Sequence, residues 1–255
     1  MSKFVISTEF LTGVDFASSK EYKVKAVILK PKKTEKFYNE DILGTTSLDL
    51  VREALDKYTI NEAFVESNDS IVEAVEPFMK GCDYIIALFA DTPLVTPSIV
   101  ADAVEYASTK RLDYCKLPRG AVIKSNSSLE YVGEANFLAP HDFLSVFDYK
   151  TLSLARSTIK SRIIDQHLKN KVNILDTQTC YIEHDVNIES GVTICANNTI
   201  KNGSFVGKNT TLGEGNVIVN SVVEEGSTLF GCYLKNAKIK KNSHLVCEKI
   251  WEEKK

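Results

Sequence analysis

The chain has 255 residues, of which 44% are hydrophobic and 25% are charged, and 31 basic residues stand against 34 acidic ones. This length is sufficient for one large or two modest domains, and the balanced charge does not indicate binding to nucleic acid. No apolar stretch approaches the roughly eighteen residues of a membrane span, and the six cysteines form no CxxC pair, so we expect a cytoplasmic protein with reduced thiols and no membrane partner.

The first part of the chain, residues 1–150, is predicted to be an α/β domain. A strand-like opening at 3–7 precedes a polar loop, and from residue 24 onward strand and helix patterns alternate. Such alternation is typical of a helix-covered parallel sheet. The predicted strands are 25–29, 63–65, 84–90, 114–117 and 121–124, and the predicted helices are 48–58, 71–79 and 97–109.

One acidic residue of this domain stands where open α/β sheets bind ligands. Asp91 directly follows the apolar run at 84–90, and ligands bind beyond the carboxyl ends of parallel strands. A single carboxylate there suits Mg²⁺, which keeps several waters and bridges to phosphate oxygens. The alternative is that Asp91 only caps the helix predicted from about Pro97.

A connecting helix is predicted at 151–171, followed by short repeats at 172–247 and a charged tail at 248–255. In the repeats an aliphatic residue recurs at every sixth place, and later at distances of five or six. Helices and ordinary strands do not produce this period. A parallel β-helix does, because each short strand turns one aliphatic side chain into a narrow prism. The aliphatic positions are Ile182, Ile188, Ile194, Ile200, Val206, Leu212, Ile218, Val223, Leu229, Leu234, Ile239 and Leu245.

A β-sandwich is the alternative fold for this second part, since it also consists of short apolar strands and turns. A sandwich would show strict alternation of apolar and polar residues and less regular turns. The repeats therefore favour the β-helix.

Four segments precede the repeats in a fixed order: KAVIL, LGTTSLDLVREAL, YIIALFADTPLVTP and SRIIDQHLKNKVNILDTQTCYIEHDV. Through them the chain resembles the bacterial bifunctional N-acetylglucosamine-1-phosphate uridyltransferase/glucosamine-1-phosphate acetyltransferase family, most specifically across residues 162–192. The resemblance implies an abbreviated, degenerate member: a shortened nucleotidyltransferase (Rossmann-like) α/β layer followed by a left-handed parallel β-helix of hexapeptide repeats. It also implies a homotrimer and, in an active member, Mg²⁺ as cofactor with a nucleotide or sugar phosphate as ligand.

The resemblance also implies site residues where family motifs are retained. The segment ADTPL at 90–94 is similar to the family's GDxPL motif, which implies Asp91 as a metal ligand. The second metal ligand of the family is an asparagine in an NTG-like motif, and the nearest match here is PRG at 118–120, without the asparagine.

The family's glycine-rich phosphate loop corresponds here to residues 30–36, which contain no glycine. Three lysines of this loop are candidates for attracting phosphates as point charges, although a solvated loop is the alternative. They are Lys32, Lys33 and Lys36.

The sequence leaves three functions open. The first is a sugar-1-phosphate nucleotidyltransferase of the UDP-N-acetylglucosamine pyrophosphorylase type. The second is a non-catalytic relative, or pseudoenzyme, that acts as a trimeric scaffold or regulator through its β-helix. The third is a hexapeptide acyltransferase, which needs a catalytic histidine, and His184 and His244 in the repeats have no second catalytic group at a recognisable spacing.

Overall fold

A computed structural model of the chain describes residues 22–66 and 69–251. The strand predicted at 3–7 and the last four residues of the predicted tail lie outside the described residues. Within the described ranges, no helix is long and apolar enough to cross a membrane.

The N-terminal domain is built on a six-stranded mixed sheet, with a separate antiparallel pair of short strands beside it. The strands are β1 Val24–Pro31, β2 Asp41–Ile42, β3 Thr45–Thr46, β4 Thr59–Val65, β5 Tyr84–Phe89, β6 Tyr114–Leu117, β7 Gly120–Lys124 and β8 Val132–Glu134. The sheet has the order β4-β1-β5-β7-β6-β8, and β2 and β3 form the separate pair. Strand β1 is parallel to both β4 and β5, whereas β7 is antiparallel to β5 and β6.

The sequence predicts a parallel sheet, whereas the sheet is mixed because β7 is antiparallel to both of its neighbours. Only Pro118 and Arg119 separate β6 from β7. A parallel crossover needs a dozen or more residues, so this two-residue connection can only reverse the chain. The mixed sheet is thus a consequence of one tight turn.

Helices cover both faces of the sheet. The helices are α1 Glu35–Tyr38, α2 Ser47–Ala54, α3 Ile71–Val75, α4 Pro97–Thr109 and α5 Tyr149–Lys169. Buried residues of α2 and α4 pack against one face, where Ile28 and Ile86 lie, whereas Val75 of α3 packs against Val27 and Ile85 on the other. Short 3₁₀ turns occur at Lys32–Thr34, Glu76–Phe78 and Pro140–Phe143.

The path of the chain creates a topological switch point at β1. From β1 it crosses to β4 past α2 on one face, and from β4 it crosses to β5, on the other side of β1, past α3 on the opposite face. Crossovers on opposite faces leave a crevice at the carboxyl ends of the strands, which is where such folds bind ligands.

Residues 173–251 form three sheets of short parallel strands, an arrangement consistent with a β-helix, and we call this part the solenoid. The first sheet contains β10 Tyr181–Ile182, β13 Thr199–Lys201, β16 Val217–Val219, β19 Tyr233–Lys235 and β22 Lys249–Trp251. The second contains β11 Asn187–Ile188, β14 Phe205–Val206, β17 Val222–Val223 and β20 Lys238–Ile239. The third contains β9 Asn173–Ile174, β12 Thr193–Ile194, β15 Thr211–Leu212, β18 Thr228–Phe230 and β21 His244–Val246.

The aliphatic repeat fills the interior of the solenoid. Ile182 pairs with Ile200, and Ile200 pairs with Ile218 in the next coil, with all three side chains buried. Every inter-coil pairing is parallel, whereas sandwich sheets are antiparallel. The left-handed sense of the coil stays a prediction from the resemblance.

Polar side chains complete the corners of the coils. The Asn216 amide donates to the carbonyl oxygens of Gly213 and Leu229, and its oxygen accepts from the Cys232 N–H. Asn198, one coil earlier, accepts from the Asn216 amide at 2.9 Å. These bonds satisfy the Gly213 carbonyl oxygen and the Cys232 N–H, which the strands leave unpaired, as burial requires.

Helix α5 joins the two parts. Its N-terminus is fixed by a capping box, in which Asp148 accepts from the Thr151 N–H. Buried Ile163 and Ile164 belong to the same apolar cluster as the solenoid interior. The Arg162 guanidinium donates to the Leu94 carbonyl oxygen at 2.7 Å and so ties the helix to the N-terminal domain.

Candidate functional site

A cleft of about 400 Å³ opens at the carboxyl ends of β1, β4 and β5. Pro31 and Phe89 line its floor at the ends of β1 and β5, and Ser145 and Phe147 close one side from the loop before α5. The cleft therefore lies at the switch point of the sheet. We call it the switch-point cleft.

Asp91 is fixed directly behind this cleft and is fully buried. Its carbonyl oxygen accepts from the Val146 N–H at 2.8 Å, and the Ser47 hydroxyl donates to the neighbouring Ala90 carbonyl at 2.7 Å. The Thr34 hydroxyl donates to one carboxylate oxygen at 3.0 Å. Three segments that are distant in sequence thus hold the strand end and its carboxylate in place.

Arg119 forms a two-point ion pair with the Asp91 carboxylate. Its Nε donates to one oxygen at 2.7 Å and its Nη2 to the other at 2.6 Å. The guanidinium also stacks on the Phe89 ring, with Cζ 4.3 Å from the ring centroid. Arg119 is 30% exposed and lines the switch-point cleft, so one side of its charge is buried and the other faces the cavity.

The carboxylate oxygens of Asp91 are not free to bind a magnesium ion in this arrangement. Mg²⁺ needs octahedral oxygen ligands at about 2.0–2.1 Å, several of them waters. Both Asp91 oxygens are instead engaged by Arg119 and Thr34 in a fully buried position. Throughout residues 22–66 and 69–251, no group of three or more His, Cys, Asp or Glu side chains could hold a metal. The metal role of Asp91 stays a prediction, and it requires Arg119 to leave the carboxylate.

The alternative role of Asp91, as the cap of the next helix, falls to another residue. The Thr96 hydroxyl accepts from the Ile99 N–H at the start of α4. The Asp91 carboxylate is satisfied by side chains and makes no capping bond to α4 among the described residues. Asp91 is therefore a buried partner of Arg119.

The structure separates the three lysines of residues 32–36. Lys33 lines the switch-point cleft. Lys32 forms an exposed ion pair with Glu66 at 2.6 Å, and its hydrogen bond to that carboxylate raises the lysine pKa. Lys36 donates to the Tyr149 hydroxyl at 2.7 Å, and this bond raises its pKa. Of the three, Lys33 is the one placed to meet a ligand in the cleft.

The role of Arg119 was not foreseen from the sequence. The sequence did contain a signal, since PRG stands at the nearest match to an NTG-like motif that holds a metal ligand. A cationic side chain at the position of a residue that binds a metal cation suggests that the chain itself supplies the positive charge at this place. Only the geometry shows that this charge reaches Asp91.

The solenoid histidines do not form an acid–base site among the described residues. His184 Nε2 lies 3.0 Å from a Glu53 carboxylate oxygen of α2, and its backbone N–H donates to the Leu43 carbonyl at 2.8 Å. His184 therefore holds the solenoid to the N-terminal domain. His244 is an exposed residue of β21, on an outer face of the solenoid.

Comparison with known proteins connects this architecture to one group of relatives. The chain is 27% identical over 124 residues to "Bifunctional protein GlmU" of Lactobacillus helveticus, a match to 49% of this chain and 26% of that protein. It is 31% identical over 110 residues to the protein of the same name from Streptococcus sanguinis, covering 43% of this chain and 24% of the relative. The Brevibacillus brevis protein is 30% identical over 104 residues, 41% of this chain and 23% of its own.

These matches support a GlmU-like relationship, in keeping with the transferase and nucleotide-sugar themes of the resemblance. The chain spans about a quarter of the length of the curated relatives that it matches. No family model matches the chain.

Proposed function

We propose that the chain is a sugar-1-phosphate nucleotidyltransferase-like protein of the UDP-N-acetylglucosamine pyrophosphorylase type, and that its switch-point cleft binds a nucleotide or a sugar phosphate. The observation that carries this proposal is the cleft at the carboxyl ends of β1 and β5, with the cationic side chains of Lys33 and Arg119 in its lining. Guanidinium and ammonium groups are the usual protein partners of phosphate.

The test of this proposal measures binding and transfer on the same preparation. Calorimetric titration with UDP-N-acetylglucosamine and with N-acetylglucosamine-1-phosphate is expected to give saturable binding. Incubation with UTP and N-acetylglucosamine-1-phosphate then reports transfer as pyrophosphate release. Absence of binding by both ligands would overturn the proposal, because the cleft would then not be a sugar-phosphate site.

A second candidate function is a non-catalytic relative that binds the ligand without transferring a nucleotidyl group. The Arg119 ion pair favours it, because it engages both oxygens of the carboxylate from which a metal would be held. Binding without pyrophosphate release is the result expected of this candidate. The same assay therefore distinguishes the two functions.

Trimerisation through the solenoid belongs to the same proposal. Apolar side chains lie exposed on outer faces of the coils, among them Phe230, Val246 and Trp251. Self-association covers such faces and the ends of a short solenoid. Light scattering is expected to give three times the chain mass of 28.4 kDa, and a monomer at micromolar concentration would contradict the proposed assembly.

A further inference from the structure

We propose that the switch-point cleft recognises a phosphate group through Arg119 and Lys33 without a divalent metal, because Arg119 already occupies the carboxylate that would hold one. This inference rests on the proposed function, since it concerns the ligand of the same cleft. It goes beyond that function by naming the recognising groups and by making the binding independent of metal.

Arg119 is held in one position by contacts on two sides. Asp91 fixes its Nε and Nη2 from behind at 2.7 and 2.6 Å, and the Phe89 ring supports the guanidinium plane. A planar guanidinium that is already oriented loses little further freedom when it binds an anion. The side chain is therefore pre-organised for a ligand in the cleft.

The same guanidinium retains donors for that ligand. It carries five N–H groups, and the bonds to Asp91 use two of them. Within the described ranges Arg119 makes no other hydrogen bond, and the side chain is 30% exposed toward the cleft that it lines. Three N–H groups thus remain for phosphate oxygens, which arginine binds in a two-point geometry.

Lys33 supplies the second cationic group. It lies in the lining of the same cleft and makes no hydrogen bond or ion pair to a described residue, whereas its neighbour Lys32 is paired with Glu66. Its flexible stem allows the ammonium group to follow a phosphate over several ångströms. Arg119 is thus a fixed donor and Lys33 an adjustable one.

The charge around the cleft limits the number of phosphates that it can hold. Asp91 offsets the charge of Arg119, and Glu66 and Asp69 lie in the lining as well. A free nucleoside triphosphate would bring several negative charges into this balanced surrounding without a metal to neutralise them. A sugar monophosphate or a diphosphate-linked nucleotide sugar is therefore the expected ligand class, and UTP is expected to bind more weakly.

The first experiment tests the state of Asp91 without any nucleotide. Thermal unfolding of the wild-type chain is expected to be the same in EDTA and in millimolar Mg²⁺, because Arg119 occupies the carboxylate. In Arg119→Ala the Asp91 carboxylate loses its cationic partner beside the cleft, and Mg²⁺ is then expected to take the place of the guanidinium and to raise Tm. A rise of Tm with Mg²⁺ in the wild-type chain that Asp91→Asn abolishes would overturn the inference.

The second experiment measures ligand binding with and without metal. Titration of UDP-N-acetylglucosamine and of N-acetylglucosamine-1-phosphate is expected to give the same Kd in EDTA and in Mg²⁺. Arg119→Gln is expected to weaken binding by about tenfold or more, as is typical for loss of a hydrogen bond to a charged group. Lys33→Gln removes an exposed side chain and keeps the test valid if the Arg119 variant fails to fold. Lys57→Gln, an exposed lysine of another surface, is the matched control.

The outcomes separate this inference from the proposed function. Binding that requires Mg²⁺, or that is unchanged in both the Arg119 and Lys33 variants, overturns metal-free recognition and leaves the proposed function standing. Absence of binding by either ligand under both conditions overturns the proposed function and this inference with it. Binding in EDTA that is weakened in the Arg119 or Lys33 variant and unaffected in Lys57→Gln supports both.

Discussion

At the scale of single residues, two buried polar side chains, Asp91 and His167, affect the stability of the fold. Asp91 is fully buried, and Arg119 donates a hydrogen bond to each of its two carboxylate oxygens. His167, at the end of α5, is also buried, but its Nδ1 has no hydrogen-bond partner among the described residues. The Asp91–Arg119 pair stabilises the fold, whereas His167 makes the stability of the fold depend on pH.

Arg119→Ala is expected to destabilise the N-terminal domain. The substitution leaves the Asp91 charge buried and unpaired, which typically costs about 3 kcal/mol in the free energy of unfolding. Urea unfolding at neutral pH measures this loss. The double variant Arg119→Ala/Asp91→Asn is expected to recover part of it, because the remaining group is neutral. Equal stability of wild type and Arg119→Ala would show that the ion pair is not formed.

His167 is expected to make the protein less stable as the pH falls from 7 toward 5. Burial lowers the pKa of the His167 imidazole in the folded chain. Below the ordinary histidine pKa of about 6.5, the unfolded chain binds a proton that the folded chain does not yet bind, so the free energy of unfolding decreases.

Urea unfolding as a function of pH measures this effect, with His167→Leu as the test variant. In that variant the dependence between pH 7 and 5 should be reduced, whereas His141→Gln, at an exposed position, should retain it. An unchanged pH profile in His167→Leu would contradict the assignment.

The sequence alone could indicate Asp91 but not its partner. Asp91 was recognisable because an acidic residue directly after a buried apolar run is expected at the carboxyl end of a strand, where α/β sheets bind ligands. Arg119 is 28 residues away in the chain, and its approach to Asp91 depends on the reversal at Pro118, which places β7 beside β5. No local sequence pattern encodes this pairing, so the sequence indicated Asp91 of the candidate site but not Arg119.

At the scale of elements, the solenoid is encoded far more directly than the sheet. Each of its strands is read from the same short repeat, and each interior side chain pairs with its equivalent one coil away. The strands of the N-terminal sheet were located from their apolar runs, but the direction of β7 follows from a turn of two residues. Periodic elements are therefore predictable from sequence, whereas strand direction depends on connections that a pattern of hydrophobicity does not record.

Ile218→Ala is expected to destabilise the solenoid by about 2–5 kcal/mol, because it removes a fully buried side chain and leaves a cavity. Val219→Ala, at the adjacent half-buried position on the outer face, is the matched control and should cost less than about 1 kcal/mol. Denaturant unfolding of both variants measures the difference. Similar losses in the two variants would contradict the assigned register of β16.

At the scale of the whole molecule, the first coil of the solenoid docks on the hairpin of β2 and β3. The His184 N–H donates to the Leu43 carbonyl, and its ring meets Glu53 of α2. Gly44 adopts a φ of +85° directly against Glu183, which is itself buried. This contact fixes the solenoid relative to the domain that contains the cleft.

Gly44→Val is expected to loosen this contact. A β-branched residue at this φ costs about 1–3 kcal/mol, and its Cβ would lie 3.0 Å from the Glu183 Cβ. Limited proteolysis should then cut the hairpin faster than in the wild-type chain. Gly81→Val, at a similar φ but with open space around the new Cβ, controls for backbone strain alone. Equal cleavage of the hairpin in both variants would contradict a docking role for Gly44.

Hydrogen exchange with and without UDP-N-acetylglucosamine shows whether a sugar phosphate binds in the switch-point cleft. Binding in this cleft is expected to slow exchange in the three segments that surround it, at residues 29–36, 117–121 and 143–147, and to leave the solenoid unchanged. Saturable binding with protection confined to the solenoid, or with no protection in these three segments, would contradict it and would place the ligand elsewhere on the molecule.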